Sequence, residues 1–238
     1  MLQAVRTVAG MEPNDVTPKL HLYVLLDRSG SMASMAGDVV EGFNTLLAEQ
    51  AAEGADALMT FVQFDGVDPQ ETLADAIPLT EVTPLTLHTF VPRGSTPLLD
   101  ACGLLLGKAI VRSNGVGPDA EHVVFAVITD GHENASTEFK VDAIRSTIAA
   151  QTSAGWSFVF LGADPSAYAE AGGLGVDVRS TQHWSPDGAG ARTAISELSR
   201  GVSSRRSKLR SHEAYDAGDF FEGRKDADDD RRKRRGGS

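Results

Sequence analysis

Short apolar runs alternate with longer segments of helical periodicity along this chain. The short runs are rich in branched and aromatic side chains, which predicts strands. They cover residues 19–26, 57–64, 122–129, 156–163 and 176–180. In the longer segments apolar residues recur every three or four positions, which predicts amphipathic helices. These segments cover residues 36–52, 96–112, 136–153, 165–175 and 185–206.

This alternation predicts an α/β fold in which right-handed crossovers build one doubly wound, mostly parallel sheet with helices on both faces. The run HVVFAVIT at 122–129 is apolar throughout, which indicates a central strand buried on both faces. Residues 68–82 include Pro78 and predict one short antiparallel edge strand with an adjoining loop. Sheets of this kind bind ligands outside the carboxyl ends of their strands, where the strand order reverses.

Three polar stretches carry the candidate chemistry. DRSGS at 27–31 follows the first strand, RGSTP at 93–97 precedes a helix, and TDG at 129–131 follows the predicted central strand. Each has a purely structural alternative. Ser31 or Thr96 could cap the helix that follows it, and Asp130 with Gly131 could form an ordinary turn. The three together, at a predicted point of strand-order reversal, favour a metal site instead.

The same three stretches, LDRSGSM, FVPRGSTPLLDA and ITDGHENAST, resemble the von Willebrand factor type A (VWA) domain and its metal-ion-dependent adhesion site. That site combines an Asp-x-Ser-x-Ser loop with a distant Thr and a distant Asp, and the resemblance extends over about residues 18–200. It implies a Rossmann-like fold. It also implies that one divalent cation is held by Asp27, Ser29, Ser31, Thr96 and Asp130. The stretches are most similar to the single-domain bacterial and phage members, which implies a cytoplasmic protein.

The donor types agree with a hard cation. Mg²⁺ prefers six oxygen ligands in octahedral geometry, and serine and threonine hydroxyls are neutral oxygen donors. Asp27 and Asp130 would supply negative charge, either directly or by holding coordinated waters. No His or Cys belongs to the set, which disfavours zinc and points to Mg²⁺, with Ca²⁺ or Mn²⁺ as alternatives. Because much of the ligand set is neutral, the ion would keep positive charge for a carboxylate of another protein.

Four further residues are candidates for the surroundings of this ion. Arg28 is expected either beside the ion, where it could help to select an acidic ligand, or as a surface charge. Asp65 ends the second strand and could face the same rim. Glu133 and Asn134 could support the ligands, or could stabilise their own loop. The nearby His132 is expected to be exposed to solvent.

The function indicated is a non-enzymatic, metal-dependent protein-interaction module that binds an Asp or Glu of a partner. In some relatives a helix corresponding to residues 187–206 moves when the site is filled. One alternative is a Mg²⁺-dependent phosphatase or phosphotransferase with Asp27 as nucleophile, but such enzymes usually carry a second acid where this chain has Ser29. Another is a scaffold that associates with nucleic acid through the basic run Arg231–Arg235.

The resemblance, together with composition and charge, divides the chain into three parts: an extension at 1–17, a VWA domain at 18–206 and a tail at 207–238. The whole chain of 238 residues carries a net charge of −11, whereas residues 201–238 carry eleven basic and eight acidic side chains. An acidic body argues against nucleic-acid binding by the domain. Mixed charge blocks with Gly and Ser predict a disordered tail. No apolar run reaches membrane-spanning length, and the single Cys102 excludes an internal disulfide.

Overall fold

The structure is a computed structural model that describes residues 19–117, 120–163 and 166–236. The predicted extension at 1–17 lies outside the described residues. The strands are β1 Lys19–Asp27, β2 Ala57–Phe64, β3 Glu71–Pro78, β4 Glu121–Thr129, β5 Ser157–Gly162 and β6 Thr181–His183. The helices are α1 Ala36–Ala52, α2 Leu98–Val116, α3 Val141–Ser153, α4 Ala167–Leu174, α5 Gly188–Arg210 and α6 Asp226–Gly236. None of these helices is both long enough and apolar enough to cross a membrane.

The strands form one sheet in the order β3-β2-β1-β4-β5-β6, and only β3 pairs in the antiparallel direction. The predicted fold class, a mostly parallel doubly wound sheet with one antiparallel edge strand, is therefore confirmed. The chain runs outward from β1 to β3 on one side and from β4 to β6 on the other. The strand order thus reverses between β1 and β4, and the carboxyl ends of these two strands flank the reversal point.

Both faces of the central strands are buried, which explains their uninterrupted apolar sequences. In β1 the side chains of Leu22, Val24 and Leu26 belong to the core that α1 and α5 cover. Tyr23 and Leu25 point to the other core, which α2, α3 and α4 cover. Burying such side chains on two faces contributes roughly 1.5–3 kcal/mol for each of them. The sheet is therefore a rigid base for the loops at its carboxyl edge.

The last strand lies further along the chain than the sequence predicts. A strand was predicted at 176–180, but Val178–Ser180 forms a 3-10 turn and β6 begins at Thr181. The reason is local, because the carboxylate of Asp177 accepts a hydrogen bond from the backbone N–H of Arg179 at 2.8 Å and closes the turn. Side-chain caps of this kind compete with extended pairing.

The prediction of a disordered tail from residue 207 is wrong for the residues that the structure describes. Helix α5 continues across that point to Arg210, and α6 follows at Asp226–Gly236. Between the two helices, Phe220 and Phe221 are completely buried in the core beside α1 and α5. Two aromatic side chains bury enough apolar surface to order a segment whose charged composition alone indicates disorder.

Candidate metal centre

Asp27 ends β1 at the centre of the sheet and is completely buried. One carboxylate oxygen, Oδ1, accepts the backbone N–H of Ser29 at 2.7 Å. The other, Oδ2, accepts the hydroxyl of Thr129, the last residue of β4, at 2.6 Å. Asp27 therefore fixes the loop that follows β1 against the end of β4.

The loop after β1 brings its two serines to the same side. The hydroxyl oxygens of Ser29 and Ser31 lie 3.1 Å apart, and the hydroxyl of Ser31 donates to Oδ1 of Asp130 at 2.7 Å. A 3-10 turn at Gly30–Met35 begins immediately, so the chain cannot carry Ser31 away from Ser29 as an extended strand would. The side chains of Ser29, Ser31 and Asp130 thus contact one another in series, and the carboxylate of Asp27 contacts the backbone of Ser29.

Thr96 reaches the same place through a second loop. The carbonyl of Gly94, which has a positive φ of 68°, accepts the backbone N–H of Gly30 at 3.1 Å. The backbone N–H of Thr96 donates to Oδ1 of Asn134 at 2.9 Å, and the backbone N–H of Asn134 donates to the carbonyl of Thr96 at 3.2 Å. These contacts hold the loop before α2 between the two other loops.

Gly131 locates the space that the ligands share. A Cβ atom built on Gly131 would lie 3.3 Å from Oγ1 of Thr96, 3.8 Å from Oγ of Ser31 and 3.9 Å from Oδ2 of Asp27. Oxygen atoms of the first two segments therefore converge beside Gly131 of the third, and Oδ1 of Asp130 lies 2.7 Å from the Ser31 hydroxyl. The set fits a Mg²⁺-like ion, because it consists of hydroxyl and carboxylate oxygens. Within the described ranges, no group of three or more His, Cys, Asp or Glu side chains could hold a metal, so any ion here would depend on the hydroxyls.

The electrostatics also favour a cation. Burial raises the pKa of Asp27 to about 6, although hydrogen bonds from Thr129 and Ser29 act in the opposite direction. Burial also raises the pKa of Asp130. In the part of the chain that the structure describes, no Lys, Arg or His forms an ion pair with either carboxylate. A divalent cation would offset the cost of burying both charges.

Arg28 and Asp65 have a structural role that the sequence does not reveal. Arg28 is buried, and its guanidinium binds Asp65 at 2.6 Å and also contacts Glu71. The expectation of a surface charge at Arg28 is therefore wrong. Asp65 is also fully buried, and it accepts the backbone N–H groups of Val67 and Asp68 as well as Nε of Arg93 at 3.0 Å. The pair anchors the loop after β2 to the loop before α2.

Glu133 and Asn134, the two candidates that follow Asp130, have different roles. Asn134 holds the backbone of Thr96, as described above. Glu133 accepts the backbone N–H of Leu99 at 2.8 Å and those of Ala135 and Ser136, so it caps the start of α2 and closes its own loop. Asn134 therefore positions the candidate ligand Thr96, whereas Glu133 stabilises the loop.

Sequence reasoning overlooked Thr129. Its hydroxyl donates to Asp27 and also accepts the backbone N–H of Gly131 at 3.2 Å, so it joins the first and third loops. At the end of an apolar run, threonine is an ordinary strand residue, and its position next to Asp130 was the only available signal.

The comparisons with known proteins give a fold. No family model and no curated protein matches the sequence. Proximal thread matrix protein 1 from the mussel byssus matches with a TM-score of 0.58 and 13% identity, over 78% of this chain and 48% of that one. Manganese-loaded TRAP protein of Plasmodium vivax matches with a TM-score of 0.52 and 16% identity, over 75% and 72%. The VWA domain of SpRpn10 matches with a TM-score of 0.50 and 9% identity, over 76% and 95%.

The chain therefore has the von Willebrand factor type A fold, as the sequence resemblance implied. It spans about half the length of the mussel structure that it matches.

Gly131→Ala is expected to weaken metal binding without unfolding the protein. The added methyl group would enter the space between Thr96, Ser31 and Asp27, whereas the φ of Gly131 lies outside the positive range that disfavours side chains. We expect the Mn²⁺ affinity, measured by calorimetry, to fall at least about tenfold, as for other changes beside a metal. The matched control is Gly107→Ala, since a methyl group there meets nothing within 4 Å. Equal affinities in the two variants would place the ion elsewhere.

Proposed function

We propose that this protein is a metal-dependent protein-interaction module. A Mg²⁺ ion, or Ca²⁺ or Mn²⁺, would be held by Asp27, Ser29, Ser31, Thr96 and Asp130. The observation that carries the proposal is the convergence of oxygen atoms of Asp27, Ser31 and Thr96 beside Gly131, with Asp130 hydrogen-bonded to Ser31. When bound, the ion would supply the positive charge to which a carboxylate of the partner binds.

The residues of this chain are arranged to present such an ion to solvent. Ser31 is exposed, and so are Gly30, Gly94 and Ser95 beside it. These are small residues, so a partner can approach the site without displacing a bulky side chain. Asp27, in contrast, is buried beneath the hydroxyls, where it can balance charge without blocking the open side. The manganese-loaded TRAP structure supports the proposal by analogy of fold.

A non-enzymatic role is part of the proposal. Position 29 carries a neutral serine where an aspartyl phosphotransferase usually has a second acid. We also extend the proposal to a cytoplasmic protein of the single-domain bacterial and phage type, on the sequence resemblance alone.

Thr96→Ala tests the proposal, because it removes one hydroxyl and keeps the backbone bonds to Asn134. We expect at least a tenfold loss of Mg²⁺ affinity by calorimetry and an unchanged melting temperature in EDTA. We also expect partner proteins captured from native lysate by the wild type in Mg²⁺ to be lost both in EDTA and with Thr96→Ala. The control is Thr147→Ala on α3, a half-buried threonine whose hydroxyl bonds only the carbonyl of Ala143 in its own helix and whose loss should change neither result. Capture that survives both EDTA and Thr96→Ala would contradict a metal-dependent interaction.

A further inference from the structure

Exposed apolar side chains are concentrated in the segment of the chain between β2 and α2. Of the large apolar residues that the structure shows as exposed, half lie between positions 67 and 91. These are Val67, Leu73, Leu87 and Val91. They belong to the loop after β2, to β3 and to the loop that leads into α2. Concentrations of exposed apolar side chains beside a polar site are typical of interaction surfaces.

A short series of contacts connects Val67 to the metal ligands. Val67 follows Gly66, and a Cβ atom built on Gly66 would lie only 2.2 Å from Oγ of Ser95. Ser95 precedes the ligand Thr96. Because consecutive Cα atoms are about 3.8 Å apart, Val67 lies on the order of 10 Å from the ion position. An extended peptide advances about 3.3 Å per residue, so a side chain one to three positions from a metal-bound acid reaches Val67.

The buried Asp65 holds this surface in place. Its Oδ1 accepts the backbone N–H of Val67 at 2.7 Å, and its Oδ2 accepts Nε of Arg93, two residues after Val91, at 3.0 Å. Val67 is 69% exposed and Val91 is 49% exposed, although the loops beneath them are fixed. Both valines are therefore presented by loops that Asp65 fixes, which lowers the entropic cost of binding.

Charge restricts what this surface can accept. The ion would accept one acidic group, whereas the half-exposed guanidinium of Arg93 near Val91 is already paired with Asp65. The remainder of the body is acidic, since residues 1–200 carry a net charge of about −14. A partner segment with many acidic residues would be repelled at longer range. One acidic residue within an apolar segment satisfies both conditions.

We propose that the partner of this module is a protein segment with one Asp or Glu at the ion and an aliphatic or aromatic side chain, one to three positions away, on Val67 and Val91. The inference rests on the proposed function and specifies its partner. The carboxylate provides the dependence on metal, and the apolar contact provides the choice among acidic sequences. Arg28 and Asp65 contribute by positioning the loops and do not touch the partner.

The test is selection of random peptides displayed on phage, in Mg²⁺ and in EDTA. We expect the wild type to enrich Asp or Glu in Mg²⁺ only, with apolar residues within three positions enriched by about tenfold, as the burial of one such side chain predicts. In the double variant Val67→Ser/Val91→Ser the acidic preference should remain and the apolar preference should disappear. The control is Val111→Ser, since Val111 is 74% exposed and lies some 20 Å along α2 from the site.

The outcomes separate the inference from the proposed function. Metal-dependent enrichment of acids without an apolar preference, or an apolar preference that the double variant retains, overturns this inference and leaves the proposed function intact. The absence of any Mg²⁺-dependent acidic enrichment overturns the proposed function, and this inference fails with it.

Discussion

Asp27→Asn is expected to lower the affinity for Mg²⁺ and Mn²⁺ at least about 100-fold while it stabilises the metal-free protein at pH 8. The loss of affinity follows from the removal of one of the two negative charges at the site. The fold should persist, because the amide Oδ1 can still accept the backbone N–H of Ser29. The amide Nδ2 can donate to the Thr129 hydroxyl, which can itself donate to the carbonyl of Gly131 at 3.1 Å.

The gain in metal-free stability follows from the pKa of Asp27. Burial raises this pKa from 3.8 to about 6 in the folded protein. A raised folded-state pKa means that the carboxyl group favours the folded state at low pH. This contribution is complete below about pH 3.8 and is lost as the pH rises through about 6. At pH 8 the ionised group therefore opposes folding by about 1–3 kcal/mol, and asparagine removes that cost.

Urea denaturation at pH 4 and pH 8, with and without Mn²⁺, measures both effects. The wild type in EDTA should lose stability relative to Asp27→Asn between these pH values, and Mn²⁺ should restore it only in the wild type. The control is Asp142→Asn on α3, where the carboxylate is largely exposed and pairs with Arg145. If Asp27→Asn is less stable than the wild type in EDTA at pH 8, the buried charge of Asp27 does not destabilise the metal-free protein, contrary to what its raised pKa indicates.

Phe220→Ala is expected to lower the free energy of unfolding by about 3–5 kcal/mol, the usual cost of truncating a buried phenylalanine. Phe220 is completely buried, and its ring lies against Gly201 of α5. Its neighbour Phe221 meets it edge to face with ring centroids 5.2 Å apart. A disordered tail would make the same substitution neutral.

Gly201→Ala gives a prediction with the opposite sign to the usual one. In an exposed helix, replacing glycine by alanine stabilises by roughly 0.5–1 kcal/mol. At Gly201 the new methyl group would lie 2.1 Å from the Phe220 ring, so the overpacking should destabilise by about 1–3 kcal/mol instead. Gly107→Ala on α2, where a methyl group meets nothing, should show the usual stabilisation. Thermal denaturation of the three proteins decides whether the C-terminal segment is packed against α5.

The features that the sequence predicts well are those that local patterns specify. Buried strands such as β1 and β4 appear as apolar runs because both of their faces are covered. The proposed ligands Asp27, Ser29 and Ser31 stand together in one loop. Thr96 adjoins a recognisable helix start and Asp130 a recognisable strand end. The point at which the strand order reverses therefore indicates that they meet.

The features that sequence reasoning missed depend on contacts between distant segments. The burial of Arg28 follows from Asp65 and Glu71, which are far from it in the chain. The role of Thr129 depends on its distance from Asp27, which no spacing in the sequence reveals. The sequence predicts disorder for the C-terminal segment because charged residues dominate its composition. In the structure, Phe220 and Phe221 determine its packing.

A crystal of the protein soaked in Mn²⁺, with an anomalous difference map, tests the central claim most directly. We propose that five side chains from three loops bind one ion in the space beside Gly131. The account predicts a single strong peak there, about 2.1 Å from the hydroxyl oxygens of Ser29, Ser31 and Thr96. A map without a peak in that space at saturating Mn²⁺, or with its only peak at another group of residues, would contradict it.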